Sequence, residues 1–454
     1  MANQTVFVRE ITDEVVGDAA LLFGKLSSKP YSFFLDSGGS PEKLGRYSII
    51  GADPSIILES RGEKIELTED GIKQSLSADP LSILEVKLAE NKLTYHGGLP
   101  FVGGAVGYLS YDLAWLTEGV KLHGIDDVKT PDLSFGFYDT VLIADHFTGK
   151  KYVASTDDEK ADKLVGIISA NAPSKKDAPQ HAIKLESNFT EKKYHMAVKR
   201  VRDYIAAGDT YQVNLSQRFT AKFSGNPWML YQSLRELNPA PFSAYLNFGE
   251  VKVLSSSPER FLKIRDGVVE TRPIKGTRPR GKTPREDEAL KAELSCSEKD
   301  KAEHVMIVDL ERNDLGKVCE YGSVYVAEME VIESYATVHH MVSTVKGRLR
   351  EGVSLVDCVR ATFPGGSITG APKVRAIEII DELEPNQRGI YCGSIGYLGY
   401  NGVADLNIVI RTMIVKDGKL YFSVGGGVVY DSSPEGEYQE TLDKGEALMR
   451  SLGL

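Results

Sequence analysis

The sequence predicts an α+β protein in which two related halves pack as two layers of one composite fold. Short runs of apolar and β-branched residues separated by turn residues, the pattern of strands joined by tight turns, recur along residues 32–155 and again along residues 210–271. Segments of helical length with apolar residues on one face begin near residues 190 and 298. A glycine motif and the features that follow it occur twice, and this repetition predicts the two halves.

The repeat is clearest in two matching segments. Residues 104–111 read GAVGYLSY and residues 393–400 read GSIGYLGY, with both glycines, the leucine and both tyrosines at the same spacing. In each copy an Asp-Leu dipeptide and then a strand pair with a tight turn follow. With an offset of one residue, the second copy has Arg411 where the first has Asp139. Only the C-terminal copy therefore offers a cation to an anionic ligand at that point.

Helix boundaries can be read from capping residues. Serine and threonine favour the N-cap, proline the first helical position, and glycine the residue just past the end. These signals place helices at residues 80–89, from Thr190 to Gly208, over residues 298–312 after Ser297, and from Ser433-Pro434 onwards.

Composition divides the chain at a polar, proline-bearing stretch, NAPSKKDAPQHA, at residues 171–182. We therefore expect an N-terminal part at residues 1–170, a linker at residues 171–185 and a second part at residues 186–454. A chain of 454 residues with 42% hydrophobic content is long enough to build a large core.

Charge and cysteine usage exclude several classes of protein. The net charge of −10 argues against nucleic acid and anionic membranes as partners. The four cysteines lie far apart without metal-ligand spacing, which predicts neither a zinc site nor a disulfide framework. The N-terminus has acidic residues where a signal peptide has a basic and then an apolar region, and there is no apolar run long enough to span a bilayer. We expect a cytoplasmic protein with no nucleic-acid or membrane partner.

One predicted hairpin brings an acid and an amine together. Asp266-Gly267 is a strong turn signal between two short strand-like runs. Glu259 precedes the first run and Lys275 follows the second, so both could face one pocket. Cationic neighbours lower the pKa of a lysine and make its amine a better nucleophile. The alternative is that RPIKGTRPRGK is a solvated basic loop.

Three glutamates indicate a divalent cation. Glu303 falls on the apolar face of its predicted helix, and a buried carboxylate needs a partner. Glu437, Glu440 and Lys444 lie at i, i+3 and i+7 on the last helix, where the two carboxylates repel unless a cation lies between them. An oxygen-only site with few protein ligands suits Mg²⁺, although Glu437 and Glu440 alone would also fit a solvated helix face.

Two glycine-rich segments, residues 363–370 and residues 425–429, are interpreted as turns with free backbone amides. The first lacks the Lys-Ser/Thr of a nucleotide-binding loop, but amides that open a helix still favour an anion such as a carboxylate. Glycines for tight strand turns are an equally good explanation of each segment alone. With Arg411 and Mg²⁺, the two turns predict a site for a dicarboxylate.

In combination, these motifs resemble those of the chorismate-utilising enzymes. The resemblance rests on SSSPERF, RPIKGTRPRG, AEHVMIVDLERND, FPGGSITGAPK, YCGSIGYLGY, IRT, GGGVV and EYQETLDK, in this order. The family includes branches that form anthranilate, aminodeoxychorismate, isochorismate and salicylate. The resemblance implies an internally duplicated α+β fold in which two antiparallel β-sheets pack as a sandwich with helices outside.

The resemblance also implies a site. Mg²⁺ would be held by Glu303 and Glu440, with Glu437 close by, and would anchor the ring carboxylate of chorismate. The other substrate-binding positions are Gly276, Thr277, His340, Tyr391, Arg411, Gly426, Gly427 and Lys444. Glu259 would act as general acid on the departing C4 hydroxyl, while Lys275 attacks C2 and ammonia then adds at C4.

Lysine at position 275 favours the aminodeoxychorismate branch of folate synthesis, because the anthranilate enzymes carry alanine in the same PIxGT motif. The alternative is an anthranilate-forming component of tryptophan synthesis. Gln212 stands where isochorismate-type relatives place a water-activating lysine, which disfavours water addition. No cysteine lies in a glutaminase-type nucleophile motif, so ammonia should come from a separate glutamine amidotransferase subunit, forming a heterodimer.

By the same resemblance, the N-terminal part includes a pocket that could hold tryptophan. LDSGG at residues 35–39 is similar to the aminodeoxychorismate form of the segment that builds this pocket. The implied pocket residues are Ser37, Leu44, Gly45, Arg46, Tyr47, Pro241, Phe242 and Ser243. The alternative is that this apolar region is ordinary core.

Overall fold

A computed structural model describes residues 4–38, 44–170 and 183–454. The predicted linker falls mostly on residues 171–182, which lie outside the described ranges. Before the linker, the strands are β1 Gln4–Thr5, β2 Phe7–Glu10, β3 Ser32–Asp36, β4 Tyr47–Gly51, β5 Ile56–Arg61, β6 Lys64–Glu69, β7 Ile72–Ser77, β8 Leu93–Thr94, β9 Gly104–Leu109, β10 Leu133–Tyr138, β11 Thr140–Asp145 and β12 Lys151–Ser155.

The strands after the linker complete the same sheets. They are β13 Glu186–Ser187, β14 Gln212–Lys222, β15 Phe242–Phe248, β16 Val251–Ser257, β17 Arg260–Arg265, β18 Val268–Arg272, β19 Ile274–Pro279, β20 Tyr325–Ser334, β21 Val338–Arg348, β22 Gly370–Ala371, β23 Ser394–Gly399, β24 Ala404–Asn407, β25 Thr412–Lys416 and β26 Lys419–Val428.

The helices confirm the capping signals. They are α1 Ala19–Gly24, α2 Pro80–Glu90, α3 Ala114–Thr117, α4 Asp158–Ser169, α5 Glu191–Ala207, α6 Pro227–Leu237, α7 Pro284–Cys296, α8 Glu298–Gly316, α9 Leu355–Thr362, α10 Lys373–Leu383 and α11 Pro434–Ser451, with 3₁₀ turns at Tyr111–Leu113 and Gly366–Ile368. Thr190, Ser297 and Ser433 each accept a hydrogen bond from a first-turn amide, and Gly208 ends α5 at φ 84°. Among the described residues, no helix is long and apolar enough to cross a membrane.

Two large antiparallel sheets form the body of the protein. Sheet I has the order β19-β21-β18-β17-β24-β23-β9-β10-β5-β6-β7, with β20 paired to β21. Sheet II has the order β13-β14-β26-β25-β16-β15-β3-β4-β11-β12-β2, with β22 paired to β14. A large buried apolar cluster includes Leu58 and Ile395 of sheet I and Phe33 and Leu246 of sheet II. Since helices α1, α4, α6 and α11 pack in a separate cluster with sheet II, the predicted α+β sandwich with outer helices is confirmed.

The two halves are related as predicted, but they do not form one layer each. Strands β9 and β23, which carry the repeated glycine motif, lie side by side in sheet I, with Gly107 opposite Gly396. Strands β3 and β15 lie side by side in the same way in sheet II. Each half therefore supplies part of both sheets, and the two parts predicted from composition share one core.

Close backbone approach explains the glycines of the repeat. A Cβ atom on Gly107 would collide with the carbonyl of Ser134 on β10, and a Cβ atom on Gly396 would collide with the carbonyl of Asp405 on β24. Gly107 is needed where β9 meets β10, and Gly396 where β23 meets β24. The motif is therefore explained by close strand packing at the centre of sheet I.

Candidate active site

The predicted hairpin forms and positions the acid. Asp266 and Gly267 make the turn between β17 and β18 with φ values of 52° and 73°. Glu259 lies just before β17, and β18 leads through Pro273 into β19, which contains Lys275. The backbone N–H of Ile274 donates a 3.3 Å hydrogen bond to the Glu259 carboxylate. Glu259 therefore contacts the residue next to Lys275.

The Glu259 carboxyl lies in a site that favours its protonated form. Its residue is only 4% exposed. Burial raises its pKa, and contacts with Ser367, the Ile274 amide and the nearby amines of Lys275 and Lys444 only partly oppose that shift. Glu259 therefore keeps its proton to a higher pH than an exposed glutamate, as a general acid requires.

The Lys275 amine is half-buried and uncommitted. Within the described ranges it makes no hydrogen bond or ion pair. It lies above β26, because a Cβ atom on Gly427 would be 3.3 Å from its Nζ. Burial lowers its pKa; the carboxylates of Glu303 and Glu259 oppose this shift, and the Lys444 ammonium adds to it. A larger fraction of the amine is therefore neutral and nucleophilic than in an exposed lysine.

Two carboxylates of α11 converge over β26. A Cβ atom on Gly426 would lie 3.0 Å from Glu437 Oε2 and 3.0 Å from Glu440 Oε1. The Ser432 hydroxyl donates to Glu437 Oε1 at 2.6 Å, whereas Glu437 Oε2 is buried and has no hydrogen-bond partner among the described residues. Burial and then the Glu440 carboxylate raise the pKa of Glu437 to about 7. This orphaned oxygen beside a second carboxylate has the chemistry of a cation ligand.

Glu303, on α8, lies within electrostatic reach of Glu440. Burial raises its pKa, Lys275 and Lys299 oppose the shift, and Glu440 adds to it. Lys444 holds Glu440 Oε1 at 2.6 Å and also donates to the Gly425 carbonyl at 3.0 Å. Within the described ranges, no three such side chains are close enough to form a complete metal site. Carboxylates that leave most positions to water and a substrate anion nevertheless fit Mg²⁺.

The cationic Arg411 and the neutral His340 lie close to each other in the candidate site. Arg411 is half-buried at φ 54°, and in the part of the chain described here its guanidinium has no ion-pair partner. Burial lowers its pKa, while Tyr391 and Glu440 oppose the shift. His340 bonds to the Thr277 hydroxyl at 2.9 Å. Burial, followed by the Arg411 charge, lowers the pKa of His340 to about 4, so this ring is neutral.

The interpretation of residues 425–429 as a turn is wrong. Gly425, Gly426 and Gly427 lie within β26, paired with Ser216, Leu215 and Asn214 of β14. The missing side chains leave space above the strand that the acidic side chains and Lys275 occupy. The absence of side chains on these glycines therefore makes room for the side chains of the candidate site.

The first glycine turn also differs from expectation. Its Gly366 amide is already bonded to the Glu311 carboxylate at 3.1 Å, so that N–H is not free for an external anion. The turn instead presents Ser367, whose side chain contacts Glu259.

Sequence reasoning missed Ser367 and Glu311 as site residues. Neither carries a local signal, because each meets Glu259 or its surroundings only through the tertiary fold. In the described part of the chain, both polar atoms of the Gln212 side-chain amide are buried without a hydrogen-bond partner, and Nε2 lies 2.7 Å from where a Cβ of Gly427 would be. Its unpaired amide points to a polar ligand in this space.

A separate cleft lies where the tryptophan pocket was predicted. The cleft is open to solvent, and the space within it is about 600 Å³ when its open mouth is included. Of the predicted residues, those that line it are Ser37, Leu44, Tyr47, Pro241, Phe242 and Ser243. Arg46 instead pairs with Asp145 at 2.8 Å, Gly45 is not among the lining residues, and Gly39 lies outside the described ranges.

In the described part of the chain, a buried acid, converging carboxylates, and an amine and a guanidinium without ion-pair partners lie within electrostatic reach of one another, an arrangement that suits a small anionic substrate. The chain matches a family model described as chorismate binding enzyme over residues 31–450. It belongs to the chorismate binding enzyme family.

Relatives of two kinds match nearly the whole chain. Aminodeoxychorismate synthase component 1 of Klebsiella aerogenes is 44% identical over 436 residues, covering 96% of both chains. Anthranilate synthase component 1 of Aquifex aeolicus is 41% identical over 451 residues, covering 95% of this chain and 91% of the relative. The crystal structure of anthranilate synthase component I from Streptococcus pneumoniae superposes with a TM-score of 0.80 at 35% identity, covering 89% of this chain and 92% of that one.

Proposed function

We propose that this chain converts chorismate and ammonia into 4-amino-4-deoxychorismate, the reaction of aminodeoxychorismate synthases, on the route to 4-aminobenzoate and folate. The observation that carries the proposal is the Lys275 amine, which is unpaired among the described residues, has a lowered pKa and lies beside Glu259. The similarity to relatives named aminodeoxychorismate synthase component 1 supports it.

The chain's own residues account for the bond changes. Glu259 donates its proton to the C4 hydroxyl, which leaves as water, while the neutral Lys275 amine bonds to C2 and the ring double bonds shift. Ammonia then bonds to C4, the C2–nitrogen bond breaks, and Lys275 leaves as a neutral amine. The surplus proton on the new C4 amine returns to the Glu259 carboxylate, so chorismate and ammonia give the product and water.

Glu303, Glu440 and Glu437 would hold Mg²⁺, which supplies positive charge for the ring carboxylate of chorismate. Arg411, Tyr391 and the backbone amides near Gly426 and Gly427 would bind the enolpyruvyl carboxylate. Gly276, Thr277, His340 and Lys444 would border the substrate. Arg411 suits this role because its guanidinium is half-buried and has no carboxylate partner within the described ranges.

Ammonia rather than water is the attacking group in this proposal. The matching position of β14 carries the neutral Gln212 amide, which cannot take a proton from water as a lysine amine could. The nearest alternative product is anthranilate, because relatives with that activity in their names are almost as similar.

A separate glutamine amidotransferase subunit would supply the ammonia in a heterodimer. Three of the four cysteines, Cys319, Cys358 and Cys392, are buried, and the exposed Cys296 ends α7 without a glutaminase-type motif. The relatives are named component 1, which fits a partnered enzyme. We place the assembly in the cytoplasm.

The test of the activity is ammonium-dependent consumption of chorismate. Purified chain with chorismate, Mg²⁺ and ammonium at alkaline pH should consume chorismate without its partner and release no pyruvate, measured with lactate dehydrogenase. Release of one pyruvate per chorismate would instead support the anthranilate alternative. No consumption at any ammonium concentration would overturn the proposal.

Removing one acidic side chain should remove the response to Mg²⁺. Glu303→Ala is expected to abolish Mg²⁺-dependent turnover, because the remaining carboxylates cannot hold the ion with the substrate. The measurement is chorismate consumption against Mg²⁺ concentration. Full activity at ordinary Mg²⁺ would show that the metal lies elsewhere.

Gly426→Ala tests the proposed Mg²⁺ site by the same titration. The added Cβ would lie 3.0 Å from both Glu437 Oε2 and Glu440 Oε1 and should raise the Mg²⁺ needed for half-activation by about 10-fold or more. Gly166→Ala is the control, since nothing lies within 4 Å of its new Cβ. An unchanged requirement in Gly426→Ala would count against the placement of the ion.

The second cleft is proposed to hold tryptophan. Its mixture of apolar and hydroxyl side chains supports a bound aromatic amino acid. Acid extracts of purified wild-type protein should contain free tryptophan by mass spectrometry, and Ser243→Phe, which fills the cleft, should contain none. Absence of tryptophan from wild type, together with no calorimetric binding of added L-tryptophan, would identify the cleft as packing space.

A further inference from the structure

We propose that Glu311 is a positioning residue for Glu259, because it holds the two backbone segments that carry the contacts of the Glu259 carboxyl. The inference rests on the proposed role of Glu259 as general acid. Glu311 lies on α8 and is only 3% exposed. The reaction steps do not use it, and a buried carboxyl without a role would be costly.

The carboxyl of Glu311 joins two elements. Its Oε1 accepts from the Gly366 amide at 3.1 Å. Its Oε2 accepts from the hydroxyl of Thr271, on β18, at 3.3 Å. Both partners are buried, so neither bond can be replaced by solvent. Glu311 therefore ties the 3₁₀ turn at Gly366–Ile368 to β18.

The contacts of Glu259 lie on the same 3₁₀ turn and at the start of β19, directly after β18. Ser367, the residue after Gly366, contacts the Glu259 carboxyl through its side chain. Ile274, three residues after Thr271, donates its amide to Glu259 Oε1. Because each contact of Glu259 lies within three residues of a Glu311 bond, a loosened Glu311 frees both contacts at once.

The carboxyls of Glu311 and Glu259 also interact through charge. Burial and then the Asp314 carboxylate raise the pKa of Glu311 to about 7, the Lys373 ammonium opposes this, and Glu259 adds to it. Asp314 itself pairs with Lys373 at 2.5 Å. Since Glu259 is among the groups that raise the pKa of Glu311, the two carboxyls lie close enough to interact electrostatically.

The test compares two substitutions of Glu311 in the full chain. Glu311→Ala removes both hydrogen bonds, and kcat for chorismate consumption should fall at least about 10-fold with KM unchanged. Glu311→Gln retains an acceptor for Gly366 and a group that can bond Thr271, and its kcat at the optimum should stay within about 3-fold of wild type. Glu59→Gln is the matched control, a half-buried glutamate on β5 whose pKa burial also raises.

The pH profile separates positioning from general folding. Glu259 must be protonated, so activity falls as pH rises through its pKa. Glu311→Ala frees the Ser367 and Ile274 contacts that lower this pKa and should therefore move the alkaline limb to higher pH, whereas Glu311→Gln should leave it in place. The other charged groups near the pair, Lys275, Lys444, Asp314 and Lys373, remain in place in both variants. Glu59→Gln should leave the limb unmoved.

The outcomes are distinct. An alkaline limb unmoved in a folded Glu311→Ala overturns the inference, as does a kcat within 2-fold of wild type in that variant. If the alanine variant fails to fold, Glu311→Asp, whose shorter side chain cannot reach both partners, takes its place with the same expected results. The assay follows chorismate whatever the product, so a wrong product overturns the proposed function and leaves the Glu311 result readable. Wild-type protein that consumes no chorismate overturns both.

Discussion

Glu259→Gln is expected to lower kcat for chorismate consumption by about 10²–10⁴-fold, with little change in KM. The amide has the shape of the carboxyl and can still accept from the Ile274 amide, but it has no acidic proton for the departing hydroxyl. The residue is 4% exposed, so solvent cannot easily replace that proton. The loss should therefore appear in the chemical step rather than in substrate binding.

Steady-state kinetics at saturating Mg²⁺ and ammonium provide the measurement. Glu59→Gln makes the same chemical change at a half-buried glutamate on β5 and should leave kcat within about 2-fold of wild type. A Glu259→Gln enzyme with more than a tenth of wild-type kcat would show that another group protonates the hydroxyl.

Lys275→Ala is the second change with a large expected effect. Without the amine, the C2 adduct cannot form, and formation of the C4-aminated product should fall by about 10²-fold or more. The resemblance noted from the sequence implies alanine at this position in anthranilate-forming members, so the remaining turnover is expected to shift towards anthranilate. The Mg²⁺ requirement should persist, because Lys275 is not among the carboxylates that would hold the ion.

Lys252→Ala is the matched control for Lys275→Ala. Lys252 is also half-buried and burial also lowers its pKa, but its ammonium bonds to the Gly249 carbonyl at the β15–β16 turn. It should change neither rate nor product. An unchanged rate and product in Lys275→Ala would remove the nucleophile from the mechanism.

The sequence predicted those parts of the site that depend only on residues close together in the chain. The Asp266-Gly267 turn and the caps at Ser297 and Ser433 depend on nearby residues, and the structure has each of them where expected. The pairing of Glu259 with the start of β19 followed from the hairpin alone, since its two ends must meet.

Tertiary packing decided the rest. Three consecutive glycines suggested a turn, yet residues 425–427 form part of a strand, because β14 supplies a pairing partner that the local sequence does not reveal. The repeat predicted two halves, but a shared motif does not specify whether they meet face to face or edge to edge. Glu311 and Ser367 lie more than 50 residues apart and on different elements, so no periodic pattern connects them to Glu259.

The most direct test of the central claim is the identity of the product. Purified chain, chorismate, Mg²⁺ and ammonium at high pH, without a partner or a lyase, should be analysed by mass spectrometry. The mechanism through Glu259 and Lys275 predicts a product that retains the enolpyruvyl group and carries an amine in place of the C4 hydroxyl. Anthranilate with pyruvate would contradict it and would show that Lys275 does not determine the branch.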